Sequence, residues 1–291
     1  MVKALIKTMR PRQWTKNAFL FAAVVFDRQL SLTNPVPLLH SLAGFILFCF
    51  LSSSVYIFND LIDVEADRKH PHKSKRPIAS GQLPVPAAIA ALAGLLAFTF
   101  LAAYFLSPSF LMISAIYLVV NIAYTLRLKH IPLIDVLIIA LGFVLRVGAG
   151  VTVIEVQRFS PWLYVVTTLF ALYIGFGKRR AELTLLSENA QSHRRVLDGY
   201  NLPLLDQLIT IVSSTTILAY SLYTFSAPNL PANHAMMLTI PFVLYGIFRY
   251  LYLIQIKHEG GAPEEILLAD RPLQITVLLW GLSILTIFYV F

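Results

Sequence analysis

Between positions 59 and 68 the chain reads Asn59-Asp60-Leu61-Ile62-Asp63-Val64-Glu65-Ala66-Asp67-Arg68, with four acids in ten residues. On a helix turning ~100° per residue, Asp60, Asp63 and Asp67 fall within about 60° of one another, and Glu65 points elsewhere. Three carboxylates stacked on one face at a helix end repel each other unless a cation neutralises them. Hard oxygen donors with open positions suit Mg2+, which binds through a few carboxylates plus substrate phosphates. A solvated acidic helix end is the plainer alternative. The stretch abuts an apolar run, however, and acids beside a membrane span are functional as a rule. The spacing therefore predicts a divalent-cation site on Asp60, Asp63 and Asp67.

A basic loop follows at once: Arg68-Lys69-His70-Pro71-His72-Lys73-Ser74-Lys75-Arg76-Pro77-Ile78-Ala79-Ser80-Gly81. Its cations, broken from regular structure by Pro and Gly, are expected to fold over phosphates that the metal holds. Lys acts there as a point charge and Arg as a bidentate fork, with Arg68, Lys73 and Arg76 the candidates. A loop binding lipid headgroups is the alternative. It does not explain why chelating acids stand directly before clamping bases.

The elements that carry these residues are apolar. Of 291 residues, 57% are hydrophobic and 13% charged, with mean hydropathy +0.72. That charge deficit points to lipid as solvent. Apolar blocks long enough to cross a membrane, about 20 residues each, run approximately over Pro37–Phe58, Val85–Leu106, Phe110–Leu126, Pro132–Ile154, Trp162–Gly177, Gln207–Phe225, Met236–Ile256 and Pro272–Phe291. A ninth and weaker one begins near Asn17 and stops at Phe26, before Asp27 and Arg28. Blocks of this length without strand alternation favour helices over a barrel. The fold class expected is all-α, an integral membrane bundle of about nine helices forming one domain over 1–291.

Nine spans with the N-terminus inside sort the charge. Segments 1–16, about 60–83, 127–131, 178–206 and 257–271 hold 19 of the 23 Lys and Arg, whereas the opposite loops hold Arg28 and Arg158. The positive-inside rule expects this asymmetry. It places the N-terminus and the loops near 60–83, 178–206 and 257–271 on the cytoplasmic face of the cell membrane. The basic N-terminus, interrupted by Pro11, suits an interfacial segment, and no cleavable signal peptide is expected. The +8 charge reflects topology and anionic partners; nucleic-acid binding is not expected. Lone Cys49 says little about redox compartment.

Asn-Asp-x-x-Asp-x-x-x-Asp followed by Arg-Pro-Ile-Ala-Ser-Gly resembles the first signature of the UbiA superfamily of intramembrane prenyltransferases. The resemblance implies a bundle around a central cavity open to the cytoplasm and sideways to lipid. It further implies Mg2+ on Asp60, Asp63 and Asp67, holding a diphosphate leaving group, with Asn59 among the substrate-binding residues. Ordinary members carry a second aspartate-rich motif after the sixth span. The corresponding stretch here, Gly177-Lys178-Arg179-Arg180-Ala181-Glu182-Leu183, has three cations and one acid. It suits an incoming anion better than a second metal, although a Lys178–Glu182 helix ion pair is the plain alternative.

That departure is similar to one branch of the superfamily, the decaprenyl-phosphate phosphoribosyltransferases of arabinan precursor synthesis. The supporting features are Arg10-Pro11-Arg12-Gln13-Trp14-Thr15-Lys16-Asn17, Leu128-Lys129-His130 before Asp135, the 178–183 stretch, and the segment from Pro263-Glu264-Glu265 to Asp270-Arg271. The likeness implies phosphoribosyl pyrophosphate as soluble donor and a polyprenyl phosphate as acceptor, placed by Lys178, Arg179, Lys129 and Lys16, with Lys178 catalytic and Glu182 beside it. Asp135 opens the fifth span. Arg146 within it costs ~2.5 kcal/mol or more unless paired or wet, and two readings stay open: it meets the sugar phosphate, or it bonds a helix carbonyl. Arg249 is treated likewise. Gly142, Gly148 and Gly150 are read as permitting close helix contact. Isoprenoid length and any homo-oligomeric state are not legible. One rival is a conventional transferase moving a prenyl chain onto an aromatic acceptor; another is a small transporter or lipid-binding protein.

Overall fold

The computed structural model describes residues 1–31, 33–71, 73–156, 160–188, 195–227, 230–257, 266–267 and 269–290. His72, Arg158, His193, Arg194, His258 and Pro263-Glu264-Glu265 lie outside them. All regular structure among the described residues is helical. The α-helices are α1 (Val2–Met9), α2 (Ala22–Phe26), α3 (Val36–Ile62), α4 (Val64–Lys69), α5 (Val85–Leu106), α6 (Pro108–Leu126), α7 (Ile134–Thr152), α8 (Pro161–Glu188), α9 (Leu202–Ser226), α10 (Ile240–Gln255) and α11 (Arg271–Val290). A 3-10 helix, Pro11–Phe21, joins α1 to α2, and another, Ala235–Thr239, leads into α10.

Local chemistry starts these helices where the sequence punctuates. Proline fills the first turn of α3, α5, α6, α9 and α10, where its missing N–H costs nothing. Ser107 and Asn201 cap α6 and α9 by accepting the N–H of Phe110 and Leu204, and Asp270 does the same for α11 through Leu273.

Seven helices among the described residues are long and apolar enough to cross a membrane: Val36–Ile62, Val85–Leu106, Pro108–Leu126, Ile134–Thr152, Leu202–Ser226, Ala235–Gln255 and Arg271–Val290. The weak first block is not a continuous α-helix, because Pro11–Phe21 winds as a 3-10 helix before five α-helical residues. The Trp162–Gly177 block sits in α8, whose 28 residues run on through the polar stretch from Lys178.

The chain packs as two compact units. The first comprises Met1–Val24, Gln29–Arg127 and Leu145–Val156. One apolar cluster in it joins Leu20, Phe48, Leu51, Phe110, Tyr117, Ala149 and Val153, and a second joins Met9, Ile57, Ile78, Leu83 and Ala88. Gly150 is required in this unit: a Cβ there would stand 2.0 Å from the Leu20 carbonyl oxygen, so only a bare backbone lets the 3-10 segment lie against α7. On α5, Ile89, Phe98, Leu101, Tyr104 and Phe105 are exposed, as expected where lipid is the solvent. The second unit comprises Val25–Arg28, Leu128–Val144 and Gln157–Phe291. Its core gathers Val136, Tyr173, Phe176, Leu205, Ile209, Ile247 and Leu253, and a further cluster joins Tyr220, Tyr223, Met236 and Phe288.

Candidate active site

The acidic stretch spans the end of α3 and all of α4. The helical ladder carries on across the break at Asp63 (φ −89°, ψ 6°): the Asp63 N–H donates to the Asn59 carbonyl at 3.0 Å and the Asp67 N–H to the Asp63 carbonyl at 2.8 Å. The three aspartates therefore stay one turn apart. Asp60 and Asp67 are each 3% exposed and Asp63 is half-buried. Glu65 faces out, its carboxylate 2.7 Å from Nη1 of Arg68, itself half out in solvent.

Two buried carboxylates demand a cation, and two arginines supply it. Nη1 of Arg76 lies 2.7 Å from Oδ2 of Asp67 and 3.1 Å from Oδ1 of Asp60. Nη2 of Arg10 lies 2.5 Å from the same Asp60 oxygen. Arg10 reaches it because α1 ends in a left-handed residue, Arg10 itself at φ 54°, an uncommon conformation for a side-chain-bearing residue. Its guanidinium also rests 4.8 Å above the Tyr56 ring, a cation–π contact. Arg76 is delivered by the loop between α4 and α5, anchored by the burial of Ile78 and Leu83 against Met9, Ile57 and Ala88. Backbone bonds from Arg76 N–H to Lys73, Ser80 N–H to Arg76 and Leu83 N–H to Pro77 close it.

Lys7, Thr8, Arg10, Asp60, Lys75, Arg76 and Pro77 line a cleft of about 250 Å³. Four cations around one buried carboxylate give the cleft a positive lining. Of the loop residues singled out from sequence, Arg76 lines it. Arg68 turns to Glu65 and the Ala79 carbonyl, and Lys73 is exposed, its N–H donating to Nδ1 of His70. Lys75 belongs to the basic loop, whereas Lys7 and Arg10 were not anticipated there. Lys7 and Arg10, three residues apart, do have helical spacing, but nothing local announces a bond across 50 positions to Asp60.

Among the described residues no three of His, Cys, Asp and Glu converge as one metal site. Even so, Asp60 and Asp67 converge on a single positively charged nitrogen. That donor set fits Mg2+, which takes one or two carboxylates and leaves its other positions to water and phosphate oxygens.

Deeper in the same unit, Arg146 is 6% exposed. Its Nε donates to Oδ1 of Asn17 at 2.8 Å and its Nη2 to the Tyr117 hydroxyl at 2.9 Å. The rings of Tyr117 and Phe48 stand 5.0 and 5.8 Å away. Asn17 is steered in turn by Ser52 and Cys49, which accept from its Nδ2. Lys16, half-buried, precedes Asn17 on the 3-10 helix. Arg146 is thus held by the side chains of Asn17 and Tyr117.

The other expected residues fall in the second unit. Asp135 and Arg179 are fully buried, with Nε of Arg179 2.6 Å from Oδ2 of Asp135 and its Nη1 2.6 Å from Glu182. The Tyr200 hydroxyl donates to Oδ1 of Asp135 at 2.7 Å and accepts the Leu133 N–H at 2.6 Å. Burial, and then the Asp135 carboxylate, hold the Tyr200 phenol above its ordinary range, so it stays a donor. Arg179 is thus enclosed by two acids, and the Glu182 partner is Arg179 rather than Lys178. Lys178 is half-buried, with no ionic partner among the described residues. Lys129 is half-buried in a 3-10 turn, Leu128–His130. Arg249 is bound bidentately to Asp270 at 2.7 and 3.2 Å, which fixes it to the start of α11.

Residues 19–269 match the UbiA prenyltransferase family. The chain is 34% identical to the decaprenyl-phosphate phosphoribosyltransferase of Mycolicibacterium smegmatis over 96% of its own length and 91% of the relative's. To the protein so named in Corynebacterium glutamicum it is 30% identical, over 100% of its own length and 88% of the relative's. Its fold is similar to that of a UbiA homologue from Archaeoglobus fulgidus solved with GPP and Mg2+: TM-score 0.73, 19% identity, covering 97% of this chain and 99% of that one.

Proposed function

Because the chain belongs to the UbiA prenyltransferase family, we propose that it is a membrane-embedded transferase moving 5-phosphoribosyl from phosphoribosyl pyrophosphate to a polyprenyl phosphate of the decaprenyl type. The observation that carries the reading is near-full-length similarity to decaprenyl-phosphate phosphoribosyltransferases. The cation-lined cleft and the nearly acid-free 178–183 stretch support it. The bond from ribose C1 to the diphosphate oxygen breaks, and pyrophosphate leaves with the electron pair. A bond forms from C1 to an oxygen of the lipid phosphate, which attacks from the opposite face.

Mg2+, held by Asp60 and Asp67 with Asp63 beside them, supplies charge neutralisation for the departing pyrophosphate when bound. Lys7, Arg10, Lys75 and Arg76 bind the same diphosphate from the cleft. Lys178, with Lys129, places the acceptor phosphate; Arg179 keeps its neighbour in register through Asp135 and Glu182. Asn17 and Tyr117 hold Arg146 for the sugar phosphate. The acceptor is already ionised at neutral pH, so no strong general base is needed, and positioning and electrostatics make the main contributions. The charge asymmetry supports a cytoplasmic location for this chemistry.

The test is to incubate the protein in nanodiscs with Mg2+, phosphoribosyl pyrophosphate and decaprenyl phosphate, and in parallel with geranyl diphosphate and an aromatic acid. Mass spectrometry is expected to find a phosphoribosylated lipid in the first mixture alone. A prenylated aromatic in the second, with no lipid product in the first, would establish the conventional reaction.

A further inference from the structure

The two arginines at the acidic face stand where a divalent cation would have to go. Nη1 of Arg76 sits within hydrogen-bond distance of both Asp60 and Asp67, and Arg10 takes the same Asp60 oxygen. With both carboxylates almost wholly buried, a guanidinium and a metal compete for one set of oxygens, because buried charge of one sign tolerates neither zero nor surplus compensation. Arg76 is also free to leave without unfolding its loop. Ile78 and Leu83 anchor that loop by burial and its turns by backbone bonds, none of which uses the guanidinium. The side chain is 28% exposed and borders the cleft that Lys7 and Lys75 line from the other positions, so an anion in the cleft would meet the displaced guanidinium directly.

We propose that Arg76 is an exchangeable cation: it neutralises Asp60 and Asp67 before a divalent ion binds and, once displaced, gives its guanidinium to the diphosphate in the cleft. Metal and diphosphate then gain positive coupling through this side chain, in addition to the coupling from their direct contact. Arg10 remains on Asp60 or turns to the diphosphate, but Asp67 has Arg76 alone among its ion-pair partners in the described residues, so this part of the coupling belongs to Arg76. The inference rests on the reading of the acidic face as the metal-and-diphosphate site.

Binding, not turnover, tests it. Mn2+ serves as the metal probe, followed by its electron paramagnetic resonance in nanodiscs, with and without phosphoribosyl pyrophosphate and corrected for the complex they form in solution. Wild type is expected to bind Mn2+ about 10-fold or more tightly when the donor is present, within the usual range of site–site coupling. Arg76→Ala is expected to bind Mn2+ alone about 10-fold more tightly than wild type, having lost its competitor, and to show coupling weaker than wild type by a similar factor. Arg76→Gln, which keeps a hydrogen-bond donor for Asp67 without the charge, gives the same result if the alanine variant fails to fold. Mn2+ affinity that is unchanged or weaker in folded variants, with coupling intact, overturns the exchange and leaves the site reading standing. A wild type that binds no Mn2+ at all overturns both.

Discussion

Removing Arg179 leaves the buried Asp135 without its cation, and breaking a buried pair from one side costs about 3–5 kcal/mol. Arg179→Ala is therefore expected to lower the unfolding temperature sharply in detergent, whatever it does to turnover. Lys178→Ala, one residue away, is expected to leave that temperature within a degree or two and to raise the apparent KM for the lipid phosphate about 10-fold or more. At the acidic face, Asp67→Asn is expected to cut kcat about 100-fold or more, while Glu65→Gln, exposed and paired outward, stays within about twofold. The contrast between Asp67 and Glu65 was legible in the sequence, because two helical steps of ~100° put them on opposite faces whatever surrounds the helix. The contrast between Lys178 and Arg179 was not. Both are cations in one run, and only the packing of α8 against residues 128–136 and 196–200 decides which is enclosed.

Among the elements, the glycine at 150 and the cap at 270 bear the clearest loads. Gly150→Ala drives a Cβ into the Leu20 carbonyl, and overpacking of this kind costs about 1–3 kcal/mol; loss of thermal stability in detergent reads it. Close helix contact at this glycine was anticipated. Its partner was not, because the weak first block is too short to read as a span and enters as a 3-10 helix before its α-helical turn. Asp270 both caps α11 and takes Arg249, whose hydrogen bond holds the carboxyl below its ordinary 3.8. A carboxyl lowered on folding contributes stability that is complete above its unfolded pKa and fades as pH falls through the folded value. The thermal penalty of Asp270→Asn is thus expected to be constant from pH 7 to pH 5 and to shrink only in more acid solution. Helix starts were read less well than helix existence: the apolar block for α9 begins at Gln207, whereas the Asn201 cap starts the helix at Leu202.

For the whole molecule, seven helices among the described residues suited to a membrane and membership of the family make this a multi-pass membrane protein. Composition alone carried that conclusion. What composition withheld was which distant groups each arginine meets: Arg10 with Asp60, Arg146 with Asn17 and Tyr117, Arg249 with Asp270. Each joins residues 21 to 129 positions apart, beyond the reach of any local pattern. The transfer chemistry is a property of the assembled molecule, and phosphoribosyl pyrophosphate labelled with 14C in the ribose and 32P in the β-phosphate follows both halves of it at once. Given Mg2+ and decaprenyl phosphate, 14C is expected to enter the lipid phase and 32P to appear as pyrophosphate in water, one for one, with both stopped by chelation. Carriage of 32P into the lipid, or 14C transfer undiminished by chelation, would contradict the metal-assisted departure of pyrophosphate from ribose C1.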